Sequence, residues 1–230
     1  VHVEPHLLRI DLGILKRILR IGLPAGIQSG VFSLANIIIQ SAINSLGTVV
    51  MAASSAAFNI EIFTYDIVNA FGQACTTFVG QNFGAGELKR CKKTLLLCLA
   101  EGAVILLAAI ALIISFGKPL LSIFNSDPEV IDIGYIRVML VVSAHFFSML
   151  YEVMSGYLRG FGISLGPAIL TMIGVCMVRL LWIQFVFPLS RTFRTIMLVY
   201  PVSLSLTALM IFVALLCTHP SRRFAKKADA

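Results

Sequence analysis

The sequence predicts an all-α membrane protein with six transmembrane helices and both termini in the cytoplasm. Of its 230 residues, 58% are apolar and only 13% are charged, whereas soluble domains contain about 45–50% apolar and roughly 25% charged residues. Residues 21–60 carry no charge at all, and one membrane-spanning helix needs about 20 apolar residues. The basic residues are concentrated between alternate apolar runs. These observations exclude a soluble globular domain, a disulfide-rich secreted scaffold and a disordered chain.

Each of the six apolar runs is bounded by glycine, proline or charged residues, which mark where a helix begins or ends. The predicted spans are 21–46, 52–79, 94–116, 133–158, 166–187 and 195–217. Their boundary signals, in chain order, are Gly22-Leu23-Pro24, Gly47, the glycine-rich stretch 80–86, Lys118-Pro119, the loop 125–129, Gly166-Pro167 and Phe187-Pro188. We expect helices because a segment in lipid must satisfy its own backbone hydrogen bonds, and the alternation typical of a membrane barrel is missing.

The segments outside these spans set the orientation in the membrane. Residues 1–20 predict an amphipathic connector on the inner membrane surface, and residues 218–230 predict a basic cytoplasmic tail. With the N-terminus inside, the inner segments carry thirteen basic residues: Arg9, Lys16, Arg17, Arg20, Lys89, Arg90, Lys92, Lys93, Arg159, Arg222, Arg223, Lys226 and Lys227. The outer loops carry three: Lys118, Arg191 and Arg194. This asymmetry predicts cytoplasmic termini, and it explains the net charge of +7 without a nucleic-acid partner.

Polar residues inside the first two spans are the first functional signal. In the first span they fall on one helical face: Ser29, Ser33, Asn36, Gln40 and Asn44. In the second span another face holds Asn59, Asp66, Asn69, Gln73 and Thr77, with Glu61 on roughly the opposite side. Lipid disfavours such residues, so these faces predict either hydrogen bonds between helices or the lining of a hydrated cavity.

Carboxylates within the spans are candidates for binding a proton or a cation. Placing one at mid-membrane costs about 2.5–3.5 kcal/mol, so Glu61 and Asp66 are expected either to bind a cation or proton or to form structural ion pairs. In the fourth span Glu152 shares a face with His145, Ser148 and Arg159, and it is the leading candidate for a coupling carboxylate. Its alternative role is to neutralise Arg159 or the mid-span arginine at position 179.

Arg179 lies near the middle of the fifth span and needs an anionic partner. The candidates are Glu61, Asp66 and Glu152, with contact to a substrate as the second possibility. We expect no enzymatic activity, because nucleotide-binding, nucleophile-elbow and metalloprotease motifs are missing. A secondary transporter that uses an ion gradient is the class that remains.

Four motifs resemble the MATE (multidrug and toxic compound extrusion) family of transporters. The sequence RIGLPAGIQS at residues 20–29 is similar to the start of the seventh family helix, and NAFGQA with FVGQNFGAG within 69–86 is similar to the end of the eighth. DPEVI at 127–131 resembles the loop before the tenth helix, and SGYLRGFG at 155–162 resembles the end of that helix. The resemblance extends over about residues 15–217.

The resemblance implies the C-terminal six-helix lobe of a twelve-helix transporter that exchanges Na⁺ or H⁺ for organic cations. Its partners would be the lipid bilayer, the organic cation, and either an N-terminal six-helix lobe or a second copy of this chain. No cofactor other than the coupling ion is implied. Similarity to a branch common in anaerobic Gram-positive bacteria implies the plasma membrane of such an organism. A flippase for lipid-linked glycans or polysaccharide precursors and an inert truncated fragment are the alternatives.

The site residues of the family carry over only in part. Family members use an acidic residue on the seventh helix, but residues 21–60 contain no acid, and the amides Asn36 and Gln40 lie near that face. The counterpart on the tenth helix falls at Ser148, one turn before Glu152. We therefore expect coupling at Glu152 and Glu61, with Asp66 assisting. The expected cavity lining consists of Asn36, Gln40, Asn69, Gln73, His145, Ser148 and Arg179.

Overall fold

A computed structural model of the protein describes residues 11–220, and within that range the chain is helical without a β-strand. The helices are α1 (Leu12–Asn44), α2 (Thr48–Gly84), α3 (Leu88–Ser115), the short α4 (Gly117–Ser122), α5 (Pro128–Gly160), α6 (Leu165–Leu189) and α7 (Phe193–Thr218). Six of these seven helices in the described range are long, and each overlaps one predicted span, with the spans 21–46 and 94–116 extending past the C-terminal ends of their helices by at most two residues. The predicted all-α membrane fold is thereby confirmed.

Five of the long helices in residues 11–220 are long and apolar enough to cross a membrane, and α2 is the exception. The helix α2 has 37 residues, so its length of about 55 Å exceeds the hydrocarbon thickness of about 30 Å. Short turns at 45–47 and 85–87 join it to α1 and α3, both of which qualify as spans. Because α2 connects the end of α1 to the start of α3 and both of those helices cross the membrane, α2 also crosses it. The polar residues of α2 therefore need a separate explanation.

Side-chain caps and turn residues explain several helix boundaries. The carboxylate of Asp11 accepts hydrogen bonds from the backbone amides of Gly13 and Ile14 at 2.7 and 3.0 Å, which fixes the start of α1 at Leu12. Gly47 begins α2 with a φ of +105°, a conformation that side chains other than glycine rarely adopt.

The predicted connector and tail lie largely outside the described residues. Residues 12–20 of the predicted connector 1–20 form the first part of α1, and the helix continues after them without a break. Residues 1–10 and 221–230 are outside the described range. The position of the connector on the inner membrane surface, the basic tail 218–230 and the division of the chain at these boundaries stay predictions.

The helix α5 lies between two apolar clusters and holds the lobe together. One cluster joins α2, α3 and α5 around Val79, Leu106 and Met149, and the other joins α1, α6 and α7 to α5 around Ile43 and Val141. Since each cluster takes residues from α5, this helix positions the polar side chains that lie between them.

Small residues let α2 and α5 approach closely. A Cβ added at Gly156 of α5 would lie 2.5 Å from the carbonyl oxygen of Gly72 in α2. One turn further along α5, a Cβ at Gly160 would lie 2.6 Å from Val79. Close contact between backbones at glycine is a usual way for membrane helices to pack, and it fixes the register between the two helices that carry Glu61, Asp66 and Glu152.

Two of the long helices contain irregular turns close to buried arginines. A π-helical turn spans Val138–Val142 in α5 and directly follows Arg137, and two more span Met172–Met177 and Trp182–Val186 in α6, on either side of Arg179. Such turns are frequent at functional positions. They direct attention to the surroundings of both arginines.

Candidate functional site

Glu61 and Arg137 form a buried ion pair between α2 and α5. The Nε and Nη2 atoms of Arg137 each lie 2.8 Å from Oε2 of Glu61, and Nη1 donates a hydrogen bond of 2.6 Å to the hydroxyl of Ser54. The two side chains are only 6% and 10% exposed. Arg137 is not among the candidate site residues predicted from the sequence, so the structure supplies the partner of Glu61.

An ion pair in this position commits Glu61 to a structural contact in the observed conformation. Removing water from two charges costs several kcal/mol per ion, and the cost is recovered only when hydrogen bonds satisfy both groups. Arg137 meets that condition through Glu61 and Ser54. Its guanidinium also lies 5.4 Å from the ring centre of Phe58 and 5.9 Å from that of Tyr200. The coupling role expected of Glu61 stays a prediction.

Arg179 is buried without an acidic partner in the described part of the chain. Its Nε lies 3.4 Å from the hydroxyl of Ser203, its Nη1 lies 3.4 Å from Oδ1 of Asn36, and its guanidinium stacks 4.3 Å from the ring centre of Tyr200. The expectation that Glu61, Asp66 or Glu152 would pair with Arg179 is therefore corrected. The reason is geometric, because Glu61 faces α5 and Glu152 is bound by another arginine.

His145 and Ser148 lie inside the lobe, at 4% and 5% exposure, rather than on an open face. The Nδ1 atom of His145 lies 2.6 Å from the hydroxyl of Thr64, and that hydroxyl donates to the backbone oxygen of Glu61 at 2.8 Å. Which of the two atoms, Nδ1 of His145 or the Thr64 hydroxyl, is the donor depends on the tautomer of the imidazole. The burial of both residues is at odds with a cavity-lining position in this conformation.

Glu152 is bound by Arg159 on the same helix. Its Oε1 lies 2.6 Å from Nη2 of Arg159, and the two side chains are 23% and 30% exposed. The second role considered for Glu152, neutralising Arg159, is the one present in the structure. A Cβ at Gly72 would lie 2.6 Å from Cγ of Glu152, so the absence of a side chain at this glycine makes room for the carboxylate.

The polar face of α1 is exposed along its whole length. Its exposed members are Ser29, Ser33, Asn36, Gln40 and Asn44. The side-chain amide of Gln40 donates to Oδ1 of Asn44 at 2.8 Å, and the face meets the interior of the lobe where Asn36 contacts Arg179. No other helix of the described lobe covers this polar face, although contact between such a face and lipid is unfavourable.

The polar face of α2 is exposed in the same way, and it carries a carboxylate at its centre. Asn59, Asp66, Gln73 and Thr77 are exposed and Asn69 is half-buried. Asp66 is 18 residues from either end of α2, which is about 27 Å along the helix axis. No hydrogen-bond donor or cation pairs with its carboxylate within residues 11–220.

Several residues in this region were missed from the sequence. Tyr200 and Ser203 of α7 contact Arg179, and Tyr200 also faces Arg137. A buried Tyr and Ser, followed by the buried Thr207 in the same span, form a weak polar stripe that could have been noticed. In the described range, no three His, Cys, Asp or Glu side chains come together as a metal centre.

Membrane-crossing helices with exposed polar faces and buried charges define a multi-pass α-helical membrane protein with the architecture of a transporter lobe. The family model MatE matches residues 24–183. The chain belongs to this family.

Similar proteins agree with this assignment. A probable multidrug resistance protein NorM of Thermotoga maritima is 31% identical over 169 residues, covering 72% of this chain and 36% of that protein. A probable multidrug resistance protein YoeA of Bacillus subtilis is 25% identical over 168 residues, or 73% of this chain and 36% of the relative. The crystal structure of MATE in the bent conformation superimposes with a TM-score of 0.85 at 18% identity, covering this whole chain and 51% of the other.

Proposed function

We propose that this chain is one lobe of a cation-coupled antiporter that exports organic cations and drugs. The aligned residues cover 36% of these curated relatives, and the whole chain covers 51% of the MATE crystal structure, so the complete transport unit would need another six-helix lobe or a second copy of the chain. The names of these relatives support multidrug efflux as the activity. Membership in the family and the exposed polar faces of α1 and α2 support a hydrated cavity against the second lobe.

The observation that carries the proposal is the position of Asp66. A lone carboxylate at the centre of a membrane helix costs about 2.5–3.5 kcal/mol unless water, a proton or a cation reaches it. Asp66 is exposed on the polar face of α2 and has no partner among residues 11–220. It is therefore available to bind a proton, Na⁺ or a cationic substrate.

Glu152 and Glu61 take supporting roles in this mechanism. Glu152 is partly exposed, so a proton or Na⁺ can compete with Arg159 for its carboxylate. Glu61 is held by Arg137 in the interior and becomes available only if α2 and α5 move apart. Cation binding at Asp66, assisted by Glu152, would shift the lobes between the inward-open and outward-open states of alternating access.

The flippase alternative has less support. A glycan–phosphate cargo favours a cavity ringed by several basic residues. Arg137 is neutralised by Glu61, which leaves Arg179 as the single buried cation without an anion in the described part of the chain. The antiporter is therefore preferred.

Transport by reconstituted protein tests the proposal. The chain is placed in proteoliposomes alone, as a tandem fusion, and with an upstream six-helix lobe, and efflux of a fluorescent organic cation is followed under imposed Na⁺ and H⁺ gradients. We expect gradient-driven efflux only with two lobes, its loss in Asp66→Asn, and a weaker defect in Glu152→Gln. Glu87→Gln, which removes an exposed acid from the turn before α3, is the matched control. Wild-type efflux by Asp66→Asn under both gradients would disprove the role of this residue.

A further inference from the structure

The buried charges of the lobe do not balance. Within residues 11–220, the interior holds two guanidinium groups, those of Arg137 and Arg179, and one carboxylate, that of Glu61. The negative charge of Glu61 is paired with Arg137, whose Nε and Nη2 both lie 2.8 Å from Oε2 of the carboxylate. One buried positive charge, on Arg179, is left without a counter-ion.

The hydrogen bonds of Arg179 are also incomplete. A guanidinium has five N–H donors in a planar fork. In Arg179 the Nε and Nη1 atoms reach hydroxyl and amide oxygens at 3.4 Å, and Nη2 has no acceptor among the described residues. The bonds of Arg137 are 2.6–2.8 Å long. Because charge-assisted hydrogen bonds are normally about 2.7–2.9 Å long, the surroundings of Arg179 fit a bound anion better than they fit the protein groups now present.

The guanidinium of Arg179 borders the exposed polar face of the lobe. Its contact with Asn36 crosses from α6 to α1, and Asn36 is an exposed member of the polar face of α1. The side-chain amide nitrogen of Asn36 makes no hydrogen bond within the described residues, so it is available as a second donor. The guanidinium carbon of Arg179 also lies 4.3 Å from the ring centre of Tyr200, a cation–π contact that restrains the fork.

We propose that Arg179 and Asn36 bind an anionic group, a carboxylate or a phosphate, on the transported molecule. This inference rests on the proposed function and refines its substrate class. The molecules carried best are zwitterions, with a cationic centre for the carboxylate of Asp66 and an anionic group for Arg179. The planar fork suits two oxygen atoms of one group, which a single ammonium would not match.

Two dyes with one chromophore test this inference. Tetramethylrhodamine carries a free carboxylate, and its methyl ester is a simple cation. Binding of each to the two-lobe proteins of the transport assay, the tandem fusion and the chain with an upstream six-helix lobe, is measured in phosphatidylcholine nanodiscs by fluorescence anisotropy. We expect Arg179→Gln to raise the Kd of the free acid by roughly tenfold or more, because a charge-assisted hydrogen bond is lost, and to change the Kd of the ester less than twofold.

A second variant keeps the test independent of folding. Asn36→Asp places a carboxylate beside Arg179, where it forms an ion pair with the guanidinium within the protein. We expect Asn36→Asp to weaken binding of the free acid as strongly as Arg179→Gln does, with a melting temperature at or above that of the wild type. Arg191→Gln removes an exposed charge in the turn before α7 and serves as the control with unchanged binding. Competition by benzoate and by inorganic phosphate distinguishes a carboxylate site from a phosphate site.

The outcomes separate this inference from the proposed function. If the ester binds and the free acid is insensitive to Arg179→Gln, or if both dyes weaken equally, the anion site is disproved and the cation transporter stands. If the wild type binds the free acid but not the ester, the organic-cation function fails and the anion site stands. If it binds neither dye, both proposals fail.

Discussion

Glu61 of α2 and Arg137 of α5 are bound to each other through one carboxylate oxygen, Oε2, which accepts a hydrogen bond of 2.8 Å from Nε of the guanidinium and lies 2.8 Å from Nη2 as an ion pair. They are 76 positions apart in the chain and both are buried. The π-helical turn of α5 begins at the residue after Arg137. The pair therefore fixes α2 against α5 at the point where α5 departs from regular helical geometry.

Breaking this pair from one side is expected to destabilise the protein strongly. Arg137→Met leaves the Glu61 carboxylate buried and unpaired, which costs about 3–5 kcal/mol. The double variant Glu61→Leu/Arg137→Met is expected to recover most of that loss, because no buried charge remains. Thermal unfolding in detergent micelles measures both. Strictly additive losses would mean that the two side chains do not interact, and Lys118→Met, which breaks an exposed pair with Asp132, should leave the melting temperature unchanged.

Gly72 is expected to tolerate no side chain. A methyl group there meets Cγ of Glu152 at 2.6 Å, so Gly72→Ala should force α2 and α5 apart and cost about 1–3 kcal/mol of unfolding free energy. Gly30→Ala is the matched control, because nothing lies within 4 Å of a Cβ at Gly30, and alanine there should not reduce stability. Equal melting temperatures for the two variants would contradict the close contact.

Ser155 is expected to contribute nothing to stability. Its hydroxyl is the buried side-chain oxygen without a hydrogen-bond partner in residues 11–220. Ser155→Ala removes an unsatisfied polar atom, and we expect a gain of about 1 kcal/mol. Ser203→Ala, at an equally buried serine that donates to the backbone oxygen of Tyr200 and accepts from Arg179, should lose a similar amount. A loss of stability in Ser155→Ala would point to a partner bound in the membrane.

Chemical labelling of the Cys217 thiol tests the orientation of the protein in the membrane. Of the five free cysteines, Cys217 is exposed, whereas Cys75, Cys91, Cys98 and Cys176 are buried. Because Cys217 lies near the end of α7, cytoplasmic termini predict that a membrane-impermeant maleimide labels it in lysed cells and not in intact cells. Cys217→Ala should abolish this labelling. Strong labelling of intact cells would reverse the predicted topology.

Composition and periodicity anticipated the spans well because lipid imposes strong local constraints. The predicted spans 52–79 and 133–158 fall inside α2 and α5, since apolar length, glycine and proline are properties of neighbouring residues. The polar faces containing Asn36 and Asp66 were also predicted from helical spacing, and both are exposed. The pairing of the charges was anticipated less well, because Arg179 was assigned an acidic partner that it lacks.

The sequence by itself determined that this protein is an all-α membrane protein of this family, with polar faces on its first two spans. These properties follow from the transfer of side chains into lipid and from the 3.6-residue helical period, which need no knowledge of neighbouring helices. Only the tertiary structure decided that Arg137 pairs with Glu61, that Arg159 pairs with Glu152, and that Asp66 and Arg179 have no ion-pair partner among residues 11–220. The reason is that an ion pair depends on which faces of two helices meet, and close contacts such as that between Gly72 and Gly156 set that register.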